Sequence, residues 1–449
     1  KFHCVVANPP YMGSRNMNKE LSNFVKSKYP DSKADLFSSF IERALYFVPI
    51  NGYNGLVTME SWMFLSSFEK FRKRLIENVR IHSLTHFGWH IMRIAFGTVT
   101  FILEKSKPEN DFKGVYSYME IDNINPETER PYEFPKQNER YKIADQKNFE
   151  KIPGSPIGYW LSENMINAFT RGYKLKKVGD TRQGMATSNN NRFIKQWFEV
   201  CNRKTLFGAT NPSEVEQANS KWVPYNKGGS FRRWAGNSDY VINWENNGEE
   251  VIGLATEKYG SYTRTIKSMS KYFKPCISWS KISSGKIALR YYQSGYIFDV
   301  AGCSIFFKND TIAYYIFALL NAKISQNFLN LLSPTLNYEA GALANIPVIE
   351  PKDNNYFNVN LVYSCVEISK SDWDSRETSW DFKQNELIRL KSDTLEESFN
   401  NYKNYWKEQF FQLHENEEEL NRQFIEIYGL QDELTPDVPL EEITILQEE

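Results

Sequence analysis

The chain has 449 residues with a hydrophobic share of 41%, enough for two or three domains with sizeable cores. No run of about 18 apolar residues occurs, which argues against a transmembrane helix. The net charge of −1 conceals an asymmetry: residues 171–292 carry 21 Lys and Arg against 9 Asp and Glu, net +12, whereas residues 361–449 carry 8 against 22, net −14. A basic region of this size suits a polyanion, because each Lys or Arg near a phosphate can release a condensed counterion; a solvated lysine-rich surface is the plainer alternative. Cys4, Cys201, Cys276, Cys303 and Cys365 are odd in number and scattered. That fits free thiols and a cytoplasmic location better than a disulfide framework or a zinc site.

Taken in chain order, the first 120 residues alternate strand and helix. Phe2 to Ala7 reads as a buried strand. Pro9 and Pro10 cannot donate to a sheet ladder, so the strand stops and leaves Asn8 at its carboxyl end, where open α/β sheets bind ligands. Residues 34–48 form a helix with Leu36, Phe37, Phe40, Ile41, Leu45 and Phe47 as its apolar stripe and Asp31 or Ser32 as N-cap. A turn at 51–54, a strand at 55–59, a helix at 68–78 and a strand at 98–104 follow, and the alternation predicts a mostly parallel sheet. A polar, Pro-bearing connection occupies 125–136. Residues 150–350 mix short strands, aromatics and Asn/Gly loops, with a helix over 312–332. Beyond 360 the chain is helical: Leu395, Phe399, Tyr402, Trp406, Phe410, Leu413, Leu420, Phe424 and Ile427 recur at helical spacing, as one long helix or two stacked ones, stopped by Gly429 and Pro436. A stripe this apolar is expected to pack within the chain rather than on a partner. The acidic end is expected to be loose.

Asn8-Pro9-Pro10-Tyr11 suits one chemistry. The lone pair of an exocyclic base amine is delocalised into the ring, so the amine is a poor nucleophile. Acceptors on both of its hydrogens favour a pyramidal nitrogen with a usable lone pair. The Asn8 side-chain oxygen and the Pro9 carbonyl are such acceptors, and the double proline stiffens them. Tyr11 adds a flat face on which an extruded base can stack. A strand followed by an ordinary Pro-rich turn is the plainer alternative.

These residues resemble the (Asn/Asp)-Pro-Pro-Tyr motif of amino-methyltransferases that use S-adenosylmethionine. More widely the chain resembles the PglX adenine-specific DNA methyltransferases of BREX phage-defence systems, which are similar to fused restriction–modification enzymes. The resemblance covers nearly all of the chain and is carried by ANPPYMGS (7–14), KADLFSSFIERAL (33–45), GYNGLVTMESWMF (52–64), FGTVTFILEK (96–105), RQGMATSNNNRF (182–193), SPTLNYEAGALANIPV (333–348), DWDSRETSWDF (372–382) and ENEEELNRQFIEIYGLQDELTP (415–436). It implies a Rossmann-like catalytic domain, a target-recognition domain and methyl transfer to adenine N6 in double-stranded DNA. Asn8 and the Pro9 carbonyl hold the amine and Tyr11 stacks on the flipped base. The family also sets an aromatic residue just before the last strand against that base, and here Trp89 and Phe96 both qualify. The family's glycine-containing cofactor loop lies upstream of the motif, so this chain is expected to be a fragment with the base-binding corner but not the cofactor pocket. Its open sheet edge is expected to lack partners.

The expected fold class is therefore α/β. A partial methyltransferase sheet (1–125) and a linker (126–150) precede a mixed α+β recognition domain (151–350) and a helical, acidic carboxyl-terminal region (351–449). Arg182, Gln183, Asn189, Asn190 and Asn191 surround Gly184; Arg reads guanine and Asn or Gln reads adenine in the major groove, so a recognition loop and an Asn-stabilised turn are equal readings. Lys227, Arg232 and Arg233 sit in a Gly-rich basic loop suited to phosphates, or in a solvated hairpin. His82, His86 and His90 are spaced by four, which would converge on a helix but not on the strand and loop expected there, so no metal is assigned. Besides DNA, other phage-defence proteins are candidate partners. A non-catalytic DNA-recognition and protein-interaction module is the alternative function, and a protein-glutamine methyltransferase a weaker one that leaves the basic middle unexplained.

Overall fold

The computed structural model describes residues 2–91, 94–283, 285–333, 337–351 and 357–446. Contacts divide the chain into two units, Lys1–Arg171 and Gly172–Glu449.

The first unit is built on a six-stranded sheet. Its elements are β1 (Cys4–Ala7), α1 (Lys19–Lys28), α2 (Leu36–Phe47), β2 (Tyr53–Met59), α3 (Glu69–Asn78), β3 (Arg80–Phe87), β4 (Thr98–Glu104), β5 (Gly114–Met119), β6 (Lys142–Ala144) and α4 (Glu163–Arg171). The strand order is β1-β2-β4-β3-β5-β6. The sheet is mixed rather than mostly parallel: β1 with β2 and β3 with β5 are parallel, but β4 is antiparallel to both its neighbours and β6 to β5. The physical reason is the link from β3 to β4, residues 88–97, which carries no α-helix among its described residues and so returns antiparallel. Phe37 and Ile41 of α2 and Phe71 and Ile76 of α3 pack with Leu56 and Phe101 of the sheet in one core.

β1 is not the buried strand its composition suggests. Val5 and Ala7 face the core, but Cys4 and Val6 face outward and Val6 is 79% exposed. Among the described residues β1 pairs on one side only, with β2. The expected helix, α2, begins at Leu36 with Asp35, not Asp31 or Ser32, as its cap; the Ser32 hydroxyl instead donates to Glu42.

The expected linker, 126–150, lies wholly within the first unit, as do residues 151–171. Gln146, fully buried, donates to the carbonyls of Ile76 (2.6 Å) and Val79 (2.8 Å) and accepts from the Ile81 amide (2.9 Å). Arg72, almost fully buried, donates to the carbonyls of Trp62, Leu65, Gly154 and Ser155, which ties residues 154–155 to α3. Burial pulls the Arg72 guanidinium down to about 10.

The second unit holds two four-stranded sheets, in the orders Ile297–Phe298, Trp222–Asn226, Tyr240–Asn243, Ile194–Gln196 and Leu289–Tyr292, Cys276–Ser280, Gly302–Phe307, Gly179–Arg182. The helix expected over 312–332 is two, Asp310–Asn321 and Lys323–Leu332, broken where Ala322 turns extended (ψ 152°). Helix Val359–Asp374 and the single long helix Leu395–Tyr428 follow, the latter ended by Gly429 at φ 73°. Trp406, Leu413, Leu420 and Phe424 of its stripe are buried within this unit, while Leu395 and Phe399 near its start are exposed.

The carboxyl-terminal region is therefore not separate from the recognition region. Arg232 and Arg233, expected on a phosphate-facing loop, are inside: they are 5% and 7% exposed. Arg232 pairs with Asp372 at 2.6 Å, and Arg233 with Glu417 at 2.5 Å and Glu442 at 3.2 Å. Trp234 Nε1 donates to the other Glu417 oxygen at 2.7 Å. A guanidinium loses its hydration when covered, and here matched carboxylates compensate for it. All five cysteines are free thiols. Among the described residues no helix is long and apolar enough to cross a membrane.

Replacing Asp372 by Ala leaves Arg232 buried and unpaired, and should cost about 3–5 kcal/mol of stability in urea unfolding. The double change Arg232→Met, Asp372→Leu should recover most of that loss. A single variant as stable as the parent would show the pair to be energetically idle.

Candidate active site

The carboxyl ends of β1, β2 and β3 and the amino end of β4 lie at one end of the sheet. Asn8 follows the last residue of β1. Its side chain is exposed, Pro9 is buried, Pro10 is exposed and Tyr11 is half-buried. The Tyr11 hydroxyl donates to Asn8 Oδ1 at 3.3 Å, with the Val57 carbonyl at 3.5 Å. Burial pushes the Tyr11 phenol up, so it is a neutral donor at neutral pH.

The loop beyond the motif is held by Asp35. One Asp35 oxygen accepts from the Met12 amide at 2.9 Å and from the Phe37 amide at 3.4 Å, the latter as the cap of α2. The Leu36 amide donates to the Met12 carbonyl and the Ser14 amide to the Ala34 carbonyl, both at 3.0 Å. Asp35 was missed in the sequence because its loop contact spans 23 positions; its place directly before an apolar helical run was the available signal.

The two aromatic candidates separate. The Phe96 ring lies 6.0 Å from that of Tyr11 at 63° between planes, and Phe37 lies 6.1 Å from Tyr11 on edge. Trp89 is 63% exposed and its ring contact is with His90. The structure brings Phe96 to the motif and does not bring Trp89.

Glu60, directly after β2, shares this end of the sheet and was also missed. Its carboxylate is hydrogen-bonded to His86 Nε2, and its amide donates to the Gly97 carbonyl at 3.1 Å. His82 bonds Glu104 instead, at 2.6 Å, so the evenly spaced histidines are not gathered. Among the described residues no cluster of metal-ligating side chains occurs.

In the second unit, Arg182 is exposed and Gln183 half-buried, both lining a groove of about 620 Å³ with Lys267, Lys271 and Glu339. Asp180 holds Arg182 (2.7 Å) and Lys271 (2.9 Å) along this wall. Asn189 and Asn190 serve the turn: Asn189 caps a short helix by accepting from the Arg192 amide, and Asn190 accepts from the Thr187 hydroxyl. Asn191 is exposed beside them. Lys227 is half-buried, its ammonium 4.8 Å from the centre of the Tyr240 ring.

Comparison with known proteins bears on this arrangement. Residues 1–91 match the family described as Eco57I restriction-modification methylase. The chain is 38% identical over 98% of its length to the adenine-specific methyltransferase PglX of Lacticaseibacillus casei (strain Zhang) and 34% identical over 97% to the adenine-specific methyltransferase BrxX of Escherichia coli O9:H4 (strain HS). It resembles both from end to end. It spans about a third of those relatives, 37% and 34% of their lengths. Among solved structures, the Type IIL restriction-modification enzyme MmeI in complex with DNA shares the fold, with a TM-score of 0.55 at 13% identity over 96% of this chain and 55% of that one.

Burial holds the Asp35 carboxyl above the usual carboxylate range, against the pull of three backbone amides. A raised value means its contribution to stability is present in acid and fades as pH rises through the folded value. Asp35→Asn, which keeps the acceptor without the buried charge, should therefore match or exceed the parent at pH 7, and the gap should close in acid. Asp35→Ala should lose about 1 kcal/mol and speed hydrogen exchange at Met12 and Phe37. An Asn variant weaker than the Ala variant at pH 7 would contradict this.

Proposed function

We propose that the full-length protein carrying this chain is an adenine-N6 DNA methyltransferase of phage defence or restriction–modification, acting on a base flipped out of double-stranded DNA and using S-adenosylmethionine. The observation that carries the reading is Asn8 bonded to Tyr11, with Phe96 edge-on against Tyr11, at the carboxyl end of a strand stopped by two prolines. The end-to-end similarity to PglX and BrxX supports it.

The residues around Asn8 fit the acceptor amine rather than the methyl donor, since Asn8 Oδ1 and the Pro9 carbonyl are acceptors for N–H groups. The donor, when bound, supplies an electrophilic methyl group. Asn8 and Pro9 orient the amine by its two hydrogens and restore its lone pair. The Tyr11 hydroxyl now on Asn8 Oδ1 fixes the amide's orientation. Tyr11 offers a face on which the base stacks and Phe96, edge-on to Tyr11, lines the same corner, which offsets the base's unstacking from the duplex. Arg182, Gln183, Lys227 and the groove beside Arg182 are assigned to DNA, with Arg232 and Arg233 withdrawn from that role because they are buried.

Asn8→Ala in the full-length protein should reduce adenine methylation by more than about 100-fold while leaving DNA affinity within about two-fold, since the residue acts on the amine and not on phosphates. Phe96→Ala should lose about 1–3 kcal/mol of base binding, and Trp89→Ala should behave as the parent. Methylation by the Asn8 variant at the parental rate would overturn the mechanism and favour a DNA-recognition module.

A further inference from the structure

Glu60 and His86 have no part in the acceptor chemistry above, yet they occupy the same end of the sheet. Met59 pairs with Thr98, so the residue after β2 stands beside the residue before β4. The contact is close. A Cβ added at Gly97 would lie 2.2–2.4 Å from the Glu60 carboxylate atoms, so the carboxylate fills the place a side chain at 97 would take. With the Glu60 amide on the Gly97 carbonyl, the backbone of Glu60 bonds residue 97 and its carboxylate lies against it.

The carboxylate is itself held. His86 is 6% exposed, and its ring lies among those of Phe64, Tyr118, Tyr159 and Trp160. Burial lowers the imidazole's proton affinity, the Arg140 charge acts in the same direction, and Glu60 opposes both. A neutral ring donating from Nε2 uses its only N–H on Glu60, and Nδ1 is buried without a hydrogen-bond partner. The imidazole has one bonding task, to orient that carboxylate.

We infer that Glu60, anchored by His86, is a positioning residue that sets the 96–97 turn and so holds Phe96 edge-on against Tyr11 at the base-binding corner. The inference rests on the proposed base-flipping reading. It requires Gly at 97, because any side chain there displaces the carboxylate.

The test uses the full-length protein with two DNA targets: one with adenine at the methylated position, on which the rate is read, and one with 2-aminopurine there, which has no 6-amino group to methylate and whose fluorescence rises when the base loses an aromatic neighbour. Glu60→Ala should lower the single-turnover methylation rate about 10- to 100-fold, leave DNA affinity within about two-fold and brighten the complex. Glu60→Gln, which keeps shape and acceptor, should restore rate and fluorescence to near parental values. Combining Glu60→Ala with Phe96→Ala should add nothing to Phe96→Ala alone, since both act through one ring. Should circular dichroism show Glu60→Ala misfolded, Gly97→Ala displaces the same carboxylate while leaving a charged residue at 60, and the same brightening is expected. Additive losses, a Gln variant as impaired as the Ala variant, or a parental rate without Glu60 would each overturn the inference. Parental methylation by Asn8→Ala would instead strike the base-flipping reading itself.

Discussion

Pro9 and Pro10 carry no backbone N–H, so the parallel ladder between β1 and β2 cannot extend through them. The register ends at Ala7 opposite Leu56, and Asn8 is left as the first residue free of the sheet. Everything at the candidate site follows from that stop. Asn8 is exposed because the ladder has ended; Tyr11 turns back over the strand ends until its hydroxyl meets Asn8 and Val57. Asp35 then closes the loop by binding the Met12 amide while capping α2. One carboxylate thus couples the motif to the helix that carries Phe37, the edge-on neighbour of Tyr11.

Charge does two different jobs along this chain. The basic middle and the acidic end look in sequence like surfaces for two partners. Part of that asymmetry is spent internally, where Arg232, Arg233 and Lys286 meet Asp372, Glu417 and Glu442. Opposite net charges on two segments are what an internal interface requires, and summed charge cannot distinguish it from attraction to an outside polyanion. Exposure can. Arg182 keeps its place on a groove, whereas Arg232 and Arg233 are buried and engaged by carboxylates.

What was legible in the sequence was local. The strand stop at Asn8, the strand at Thr98–Glu104, the helix end at Gly429 and the long apolar stripe each depend on residues within a few positions of one another. What was illegible depended on distant partners. The reversal of β4 follows from the course of the 88–97 link. The role of Gln146 needs carbonyls some 70 positions away, and burial of Arg233 needs Glu417, 184 positions on. Choosing Phe96 over Trp89 needed the third dimension too, because both precede β4 and only one faces Tyr11.

The three histidines show how one spacing means different things in different elements. Residues four apart stack on one face of a helix, but along a strand they are about 13 Å apart. On β3, broken by a bulge between Ile81 and Ser83, His82 and His86 are too distant to share a ligand, and each meets its own carboxylate. His82 bonds Glu104 at the far end of β4, away from the motif. His86 bonds Glu60 at the near end, against the turn that carries Phe96. A partly buried carboxylate is costly unless its acceptor capacity is met. Here one acceptor site is met by an imidazole enclosed in four aromatic rings, and a glycine leaves the carboxylate room. An apolar residue at 60 would leave the buried His86 ring without its hydrogen-bond partner, so the pair is kept together by its own burial, beside the turn that carries Phe96.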